Sequence, residues 1–326
     1  MINSNHENIL QLQDVIKKKI TPLIINDFML LDIPNHRNIG DSLIWKGEIE
    51  YFKTLNYSCL RQFNRYTFKN SYIPSKEIVI LLHGGGNFGD IYPSSQNFKK
   101  KIVEDFPDNR IIIMPQTIFY EDEAEKFADF EIFRNHKDLY ICVRDLKSFD
   151  LISELFPKDR ILLTPDMAFF VELDQYLIKE NTNKILFLNR TDAEKVDNKY
   201  VDVLKGLKYD MLDWPTYNSD NSRLNVLSNY IEALDGKLSN IFKYIPLVNN
   251  FIDDAYGFKN RNNMDNHIMS GIKFINQYDK IYTTRLHGMI LSVLLDKEIV
   301  ILDNSYGKNR GFYDAWLTDF KNLTLV

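Results

Sequence analysis

Short runs of β-branched and leucine residues recur along this 326-residue chain, and each gives way to a longer stretch of helical character. That alternation is the pattern of βα units feeding a parallel sheet. It predicts strands at Phe28–Ile33, Glu77–Leu82, Arg110–Met114 (ended by Pro115), Tyr140–Val143 and Ile161–Leu163. Helices are expected from Asp41, as cap, to about Thr54, and over Ser94–Asp105, Glu121–His136 and Asp145–Leu155. After a polar stretch between Glu172 and Asn183 the rhythm restarts, with strands at Lys184–Leu188, Tyr209–Leu212, Lys280–Thr283 and Glu298–Leu302. Helices are expected there over Asn221–Tyr244, Asp265–Gln277 (Asp265 as cap), the segment from the Arg285–Gly288 turn to about Leu295, and Tyr313–Asp319. The fold expected is α/β, with two Rossmann-like domains of parallel strands at residues 1–175 and 176–326. A cleft between the carboxyl ends of their strands is where open α/β sheets bind ligands.

Composition narrows the partners. A net charge of −5 and a pI near 5.8 give no support for a protein that tracks nucleic-acid phosphates. The basic runs Lys17–Lys19 and Lys99–Lys101 read first as solvated helix faces, with weak docking near a membrane surface as the alternative. Cys59 and Cys142 belong to no CxxC pair and are expected as free thiols in a reducing compartment. The segment Met1–Gln13 is polar and lacks the apolar centre of a signal peptide, so a cytoplasmic location is expected.

Glycine is sparse, 13 in the chain, so four between Gly84 and Gly89 stand out. The segment His83-Gly84-Gly85-Gly86-Asn87-Phe88-Gly89-Asp90 follows a strand of buried type. Its glycines permit positive φ and close approach of backbone N–H groups to an anion or sugar. It is neither a Walker loop nor GxGxxG; the bland alternative is a tight turn without a ligand. Asn38-Ile39-Gly40-Asp41 opens the first helix. Asp41 has an ordinary capping job there, and the cleft position raises a role toward an acceptor hydroxyl. Thr283-Thr284-Arg285-Leu286-His287-Gly288 joins a strand to a helix, whose start suits phosphate. Arg285 adds a planar fork, and His287 a group able to bind phosphate or move a proton near neutral pH. The structural alternative is an Arg285 ion pair beside a packed histidine. Arg190, after the Lys184–Leu188 strand, is a second phosphate candidate. Arg144-Asp145 reads as a structural helix start and ion pair, and Asp166 as a lesser candidate. Neither a GxSxG elbow nor HExxH occurs, and no metal site is indicated.

Taken in order, Asn38–Asp41, Gly84–Asp90, Pro115–Thr117, Val143–Asp145 with Ser148, Pro165–Phe169, Asn189-Arg190 and Arg285–Gly288 resemble the polysaccharide pyruvyl transferase family. The resemblance implies a GT-B-like pair of domains, acceptor side first and donor side second. It implies phosphoenolpyruvate as the donor substrate, with no cofactor, and a pyruvate ketal on a sugar of a polysaccharide precursor, with a lipid-linked acceptor. The family's donor contacts fall on Arg190, Arg285, Leu286 and His287. Asp41 or Asp90 would take the hydroxyl proton, and Ser42 and Phe119 depart from the family pattern on the acceptor side. Two rivals stay open: a nucleotide-sugar glycosyltransferase and a non-catalytic saccharide-binding assembly subunit. Oligomeric state is not legible.

Overall fold

The computed structural model describes residues 2–178, 182–190, 200, 202–216, 222–258, 263–303 and 307–326, and leaves out the side chains of 222–226, 228 and 229. Its strands form two parallel sheets. The first contains β1 (Phe28–Leu31), β2 (Cys59–Phe63), β3 (Val79–Leu82), β4 (Gly85–Gly89), β5 (Ile111–Phe119), β6 (Leu139–Val143) and β7 (Ile161–Leu163). The second contains β8 (Ile185–Leu188), β9 (Asp210–Leu212), β10 (Lys280–Thr283), β11 (Glu298–Ile301) and β12 (Leu323–Leu325). Every strand pair is parallel.

Strand order matters most for the site. It runs β2-β1-β3-β5-β6-β7 in the first sheet, with β4 off the path against β5, and β12-β11-β10-β8-β9 in the second. In each sheet the second strand lies on one side of the first and all later strands lie on the other. The winding therefore reverses between β1 and β3, and again between β8 and β10. Such a switch point opens a crevice at the carboxyl ends of the strands. The segments leaving those four ends carry Asn38–Asp41, His83–Asp90, Asn189-Arg190 and Thr284–Gly288.

Period-two alternation divides the core. Phe28 and Leu30 of β1 face one cluster, and Met29 and Leu31 face another. The larger cluster runs through both sheets. It joins Val79 and Ile112 to Leu186, Ile281 and Ile299 by way of α1 (His6–Ile20), α2 (Ile39–Phe52), α8 (Asn263–Ile275) and α9 (Leu286–Leu294). The outer face of the first sheet is covered by α3 (Pro93–Asp105), α4 (Glu123–Asn135) and α5 (Leu146–Ser153). The remaining helices are α6 (Ser222–Phe242), α7 (Pro246–Asn249) and α10 (Lys308–Trp316). Among the described residues no helix is long and apolar enough to cross a membrane. Both cysteines are free, Cys142 buried and Cys59 half-buried.

Several expectations are corrected. Asn38, not Asp41, caps α2, its side chain accepting from Gly40 N–H at 2.8 Å; Asp41 sits inside the first turn and is left to face outward. Pro115 does not end its strand. Lacking an N–H, it is passed over by a slip in register, Ile113 pairing with Ile141 and Gln116 with Val143, and β5 continues to Phe119. The glycine segment is a short strand, not a loop, and of its three consecutive glycines only Gly85 has positive φ. Asp265 lies within the first turn of α8 and does not cap it; its carboxylate meets Lys46 at 3.3 Å. The expected helix start at Asn221 lies outside the described residues. The closing helix begins earlier, at Lys308.

α1 was not anticipated. Its apolar stripe Ile9, Leu12, Ile16 and Ile20 is buried, and Asn3 ahead of it donates to the carbonyls of Val293 and Leu294 at the end of α9. The amino terminus thus stitches onto the second sheet's helices. α2 also packs very closely on the turn Met167–Phe170: a β-carbon on Gly47 would stand 1.9 Å from Met167 O. That contact fixes the turn holding Asp166 against the helix that starts at the cavity.

Candidate functional site

A cavity of about 750 Å³ opens where the two switch points face each other. Arg37, Arg65, Arg144, Arg190, Arg285 and Lys308 line it, against the carboxylates of Asp41 and Glu232. Four of these cations are paired, Arg37 with Glu232, Arg65 with Asp32, Arg144 with Asp166 and Arg285 with Asp213, so fixed guanidinium groups are what the cavity offers an anion.

The second sheet contributes the clearest anion point. Arg285 stands two residues past β10 and is the N-cap residue of α9, where its side chain makes no capping bond. Such a helix start offers its first-turn amides to an acceptor, and the helix dipole favours a negative one. Arg285 is 4 % exposed and pairs side-on with buried Asp213, Nε to Oδ1 at 2.5 Å and Nη2 to Oδ2 at 2.6 Å. The structural alternative weighed for this residue is thus realised, yet Arg285 still lines the cavity, its guanidinium plane fixed by the pair. Arg190, buried at the end of β8, reaches the same wall, with Leu286 and Trp214 as apolar neighbours.

The first sheet contributes a second anion point. Arg144, fully buried at the end of β6, donates from Nε to Thr117 Oγ1 at 3.0 Å and from Nη1 to Asp166 Oδ2 at 2.5 Å. Among the described residues its Nη2 has no acceptor. A β-carbon built on Gly86 would lie 3.4 Å from that Nη2 and 2.8 Å from Lys308 Nζ, so the two cations gather over one spot of glycine backbone. Burial pushes the Asp166 carboxyl up, but Arg144 and then His287 overcome it and hold it well below the usual carboxylate range.

His287 stands between these points. Its Nε2 lies 3.3 Å from both Asp166 Oδ2 and Arg144 Nη1. Its Nδ1 faces the start of α2, where a β-carbon on Gly40 would intrude to 2.5 Å; only glycine at position 40 leaves room for the ring. Burial lowers the His287 pKa below its ordinary 6.5, with Asp166 opposing.

On the opposite wall Asp41 lies 3.4 Å from His36, and Arg37 lies 3.3 Å from Glu232 of α6. Beneath them Asp32, buried and at φ 63°, meets Arg65 at 3.2 Å and Lys99 at 3.5 Å. Lys99 Nζ in turn donates to Asn87 Oδ1 at 2.7 Å. Burial lowers the Lys99 pKa to about 8, with Asp32 opposing. Asn87 is thereby held at the cavity wall with Tyr66, Tyr92 and Ser94.

Of the residues singled out in the sequence, Asn38, Asp41, Gly86, Asn87, Arg190, Arg285, Leu286 and His287 line this one cavity, and Gly40 abuts it. His83, Gly84 and Gly85 do not line it. His83 is buried against Glu48 at 2.7 Å, and Gly84 N–H donates to the same carboxylate; burial opposes the His83 cation, but Glu48 raises its pKa on balance. Asp90 is also elsewhere, its Oδ2 accepting from Glu121 and Asp122 N–H ahead of α4. Gly288 serves close packing of α9, with Leu188 and Thr283 against its Cα. Ser42 and Phe119 are likewise absent from the lining. Lys308, Arg65, Asp213 and Glu232 were missed, since no local motif marks them. Arg144 was read as structural, and its ion pair is with Asp166, not Asp145, which caps α5. Among the described residues no three His, Cys, Asp or Glu side chains gather to hold a metal ion.

A family model described as polysaccharide pyruvyl transferase matches residues 38–306. EpsO of Bacillus subtilis, named provisionally as a pyruvyl transferase, is 31% identical over 316 residues, covering 97% of this chain and 91% of that protein. Pyruvyl transferase 1 of Schizosaccharomyces pombe is 26% identical over 312 residues, covering 90% of this chain and 70% of that one. The crystal structure of a functionally uncharacterised Klebsiella pneumoniae protein superposes with a TM-score of 0.61 at 21% identity, over 97% of each chain, a likeness of fold.

Proposed function

Because the chain belongs to the polysaccharide pyruvyl transferase family, we propose that it moves the pyruvyl group of phosphoenolpyruvate onto a sugar of a polysaccharide precursor, forming a pyruvate ketal. The observation that carries this reading is a histidine held between two separate cationic points. A small donor with a phosphate at one end and a carboxylate at the other carries an anionic group for each point. Residues 1–175 and 176–326 are read as two Rossmann-like domains in a GT-B-like arrangement, acceptor side and donor side. The like strand orders of the two sheets support this division.

In this scheme the start of α9, Arg285 and Arg190 hold the donor phosphate, and Arg144 Nη2 with Lys308 hold its carboxylate. Anion binding raises the pKa of neighbouring His287, which then protonates the donor's methylene carbon. A cationic carbon beside oxygen results, and preplaced positive and negative groups stabilise such a charge pattern without reorganising. A sugar hydroxyl bonds to that carbon and gives its proton to Asp41. The carbon–oxygen bond to phosphate breaks, with its electron pair leaving on phosphate. The neighbouring hydroxyl closes the ketal, and its proton departs with the phosphate. The scheme calls on no cofactor. The acceptor is a saccharide on a lipid carrier met in the cytoplasm.

Incubation with phosphoenolpyruvate and a panel of lipid-linked or synthetic galactosides is expected to yield a ketal by mass spectrometry, with one phosphate released per ketal. Thermal stabilisation by UDP, GDP or CMP sugars, with none by phosphoenolpyruvate, would instead select the glycosyltransferase reading. The split of donor charge has its own check. Lys308→Gln is expected to weaken phosphoenolpyruvate binding roughly ten- to a hundred-fold, the loss of one charge-assisted contact. Binding of prop-1-en-2-yl phosphate, which lacks the carboxylate, should change little. Equal weakening of both ligands, measured by calorimetry, would place Lys308 on the phosphate.

A further inference from the structure

α6 is packed the wrong way round for a surface helix. Among the described side chains Asp235, Gly236 and Ser239 form its buried face, continued by Lys243 just after it. Asp235 accepts from Phe258 N–H at 3.0 Å, Lys243 donates to Phe68 O, and Gly236 lies against the Tyr66 ring. The apolar residues Ile231, Leu234, Leu238 and Ile241, at helical spacing, face solvent instead. Leu247, 84 % exposed, and Phe251, 80 % exposed, follow the helix in the chain. Large apolar side chains exposed together on one segment mark an interaction site.

We propose that this α6–α7 ridge docks on an anionic lipid surface. Three features favour lipid over a second protein. The ridge is flanked by exposed tyrosines, Tyr230 and Tyr244, the residue type suited to a boundary between water and acyl chains. Lysines gather at the carboxyl end of α6: Lys69 Nζ donates to Lys243 O at 3.3 Å, and Lys237 is exposed on the helix itself. Lys101 is close enough to join Lys69 in disfavouring the Lys243 cation, whose pKa falls to about 8 with burial as the larger cause. Lys243 itself is buried, so exposed Lys237 and Lys101, the latter also paired with Asp105, are the members of this group that face anionic headgroups. Finally, the same helix presents Glu232 and Ala233 to the cavity. Docking therefore brings the cavity wall to the surface where a lipid-borne sugar is presented. The docking itself stands apart from the donor chemistry; only the link to an acceptor rests on the proposed function.

The test is sedimentation of the full chain with vesicles of phosphatidylcholine alone and of phosphatidylcholine mixed with phosphatidylglycerol. Binding is expected to the anionic vesicles, weaker to the neutral ones and weakened by salt. The double variant Leu247→Asp, Phe251→Asp alters two solvent-exposed side chains. It should melt like the parent and bind at least about ten-fold less. Binding that is unchanged in a folded double variant overturns the proposal. So does a wild-type chain that stays in the supernatant with both vesicles. A concentration-dependent dimer that the double variant dissolves, with no vesicle binding, would assign the ridge to a second copy.

Discussion

His287→Gln is expected to lower kcat with phosphoenolpyruvate and a competent acceptor by roughly 10²–10⁴-fold, the usual worth of a positioned proton donor. The amide keeps much of the ring's volume and a donor toward Asp166, so the protein should melt near the parent temperature. The pH profile should carry the same signature. In the free enzyme burial depresses the His287 pKa below 6.5, and the acid form is lost as pH rises through it. The fall in kcat/KM with rising pH should therefore begin below pH 6.5. In the donor complex the anion favours the cation, so the fall in kcat should begin at higher pH. The glutamine variant should lose both limbs. Undiminished kcat with a raised KM would sink the acid role and leave His287 as a phosphate ligand.

Arg285→Met is expected to lower kcat/KM for phosphoenolpyruvate by roughly 10²–10³-fold, the scale seen on removing one preplaced charge-stabilising donor. It should also destabilise the fold, because Asp213 is 1 % exposed and loses its side-on partner. Breaking a buried pair from one side costs about 3–5 kcal/mol. The two effects separate in the double variant Arg285→Met, Asp213→Asn. There the buried charge is gone, so melting temperature should largely recover while kcat/KM stays low. Recovery of both would show that Arg285 serves only the fold.

Much of the architecture follows from local pattern. β1, β3, β6, β8 and β10 are short apolar runs, and the segments after β1, β3, β8 and β10 are expected at the cavity on that ground. Arg190, Arg285 and His287 arrived there because a strand's carboxyl end fixes its loop to one edge of the sheet. The same logic overreached for Asp90 and His83. Both lie beside the right strand, but Asp90 is consumed by the amides ahead of α4, and His83 by Glu48 of α2. α1 carries its signal in the Ile9, Leu12, Ile16 and Ile20 spacing, diluted by the polar residues between them.

The sequence by itself determined the alternation of strand and helix, the sheets it builds, and which loops emerge at their carboxyl ends, because those depend on residues a few positions apart. Tertiary structure alone decided the pairing of charges. Arg285 meets Asp213 across 72 positions, His287 meets Asp166 across 121, and Arg144 meets His287 across 143. No periodicity encodes such partners. Whether a buried arginine keeps an N–H without an acceptor among the described residues, as Arg144 does, depends on how many acceptors packing brings to it. The facing of α6 was decided in the same way: its apolar stripe is plain in the sequence, but only the packed structure turns that stripe toward solvent.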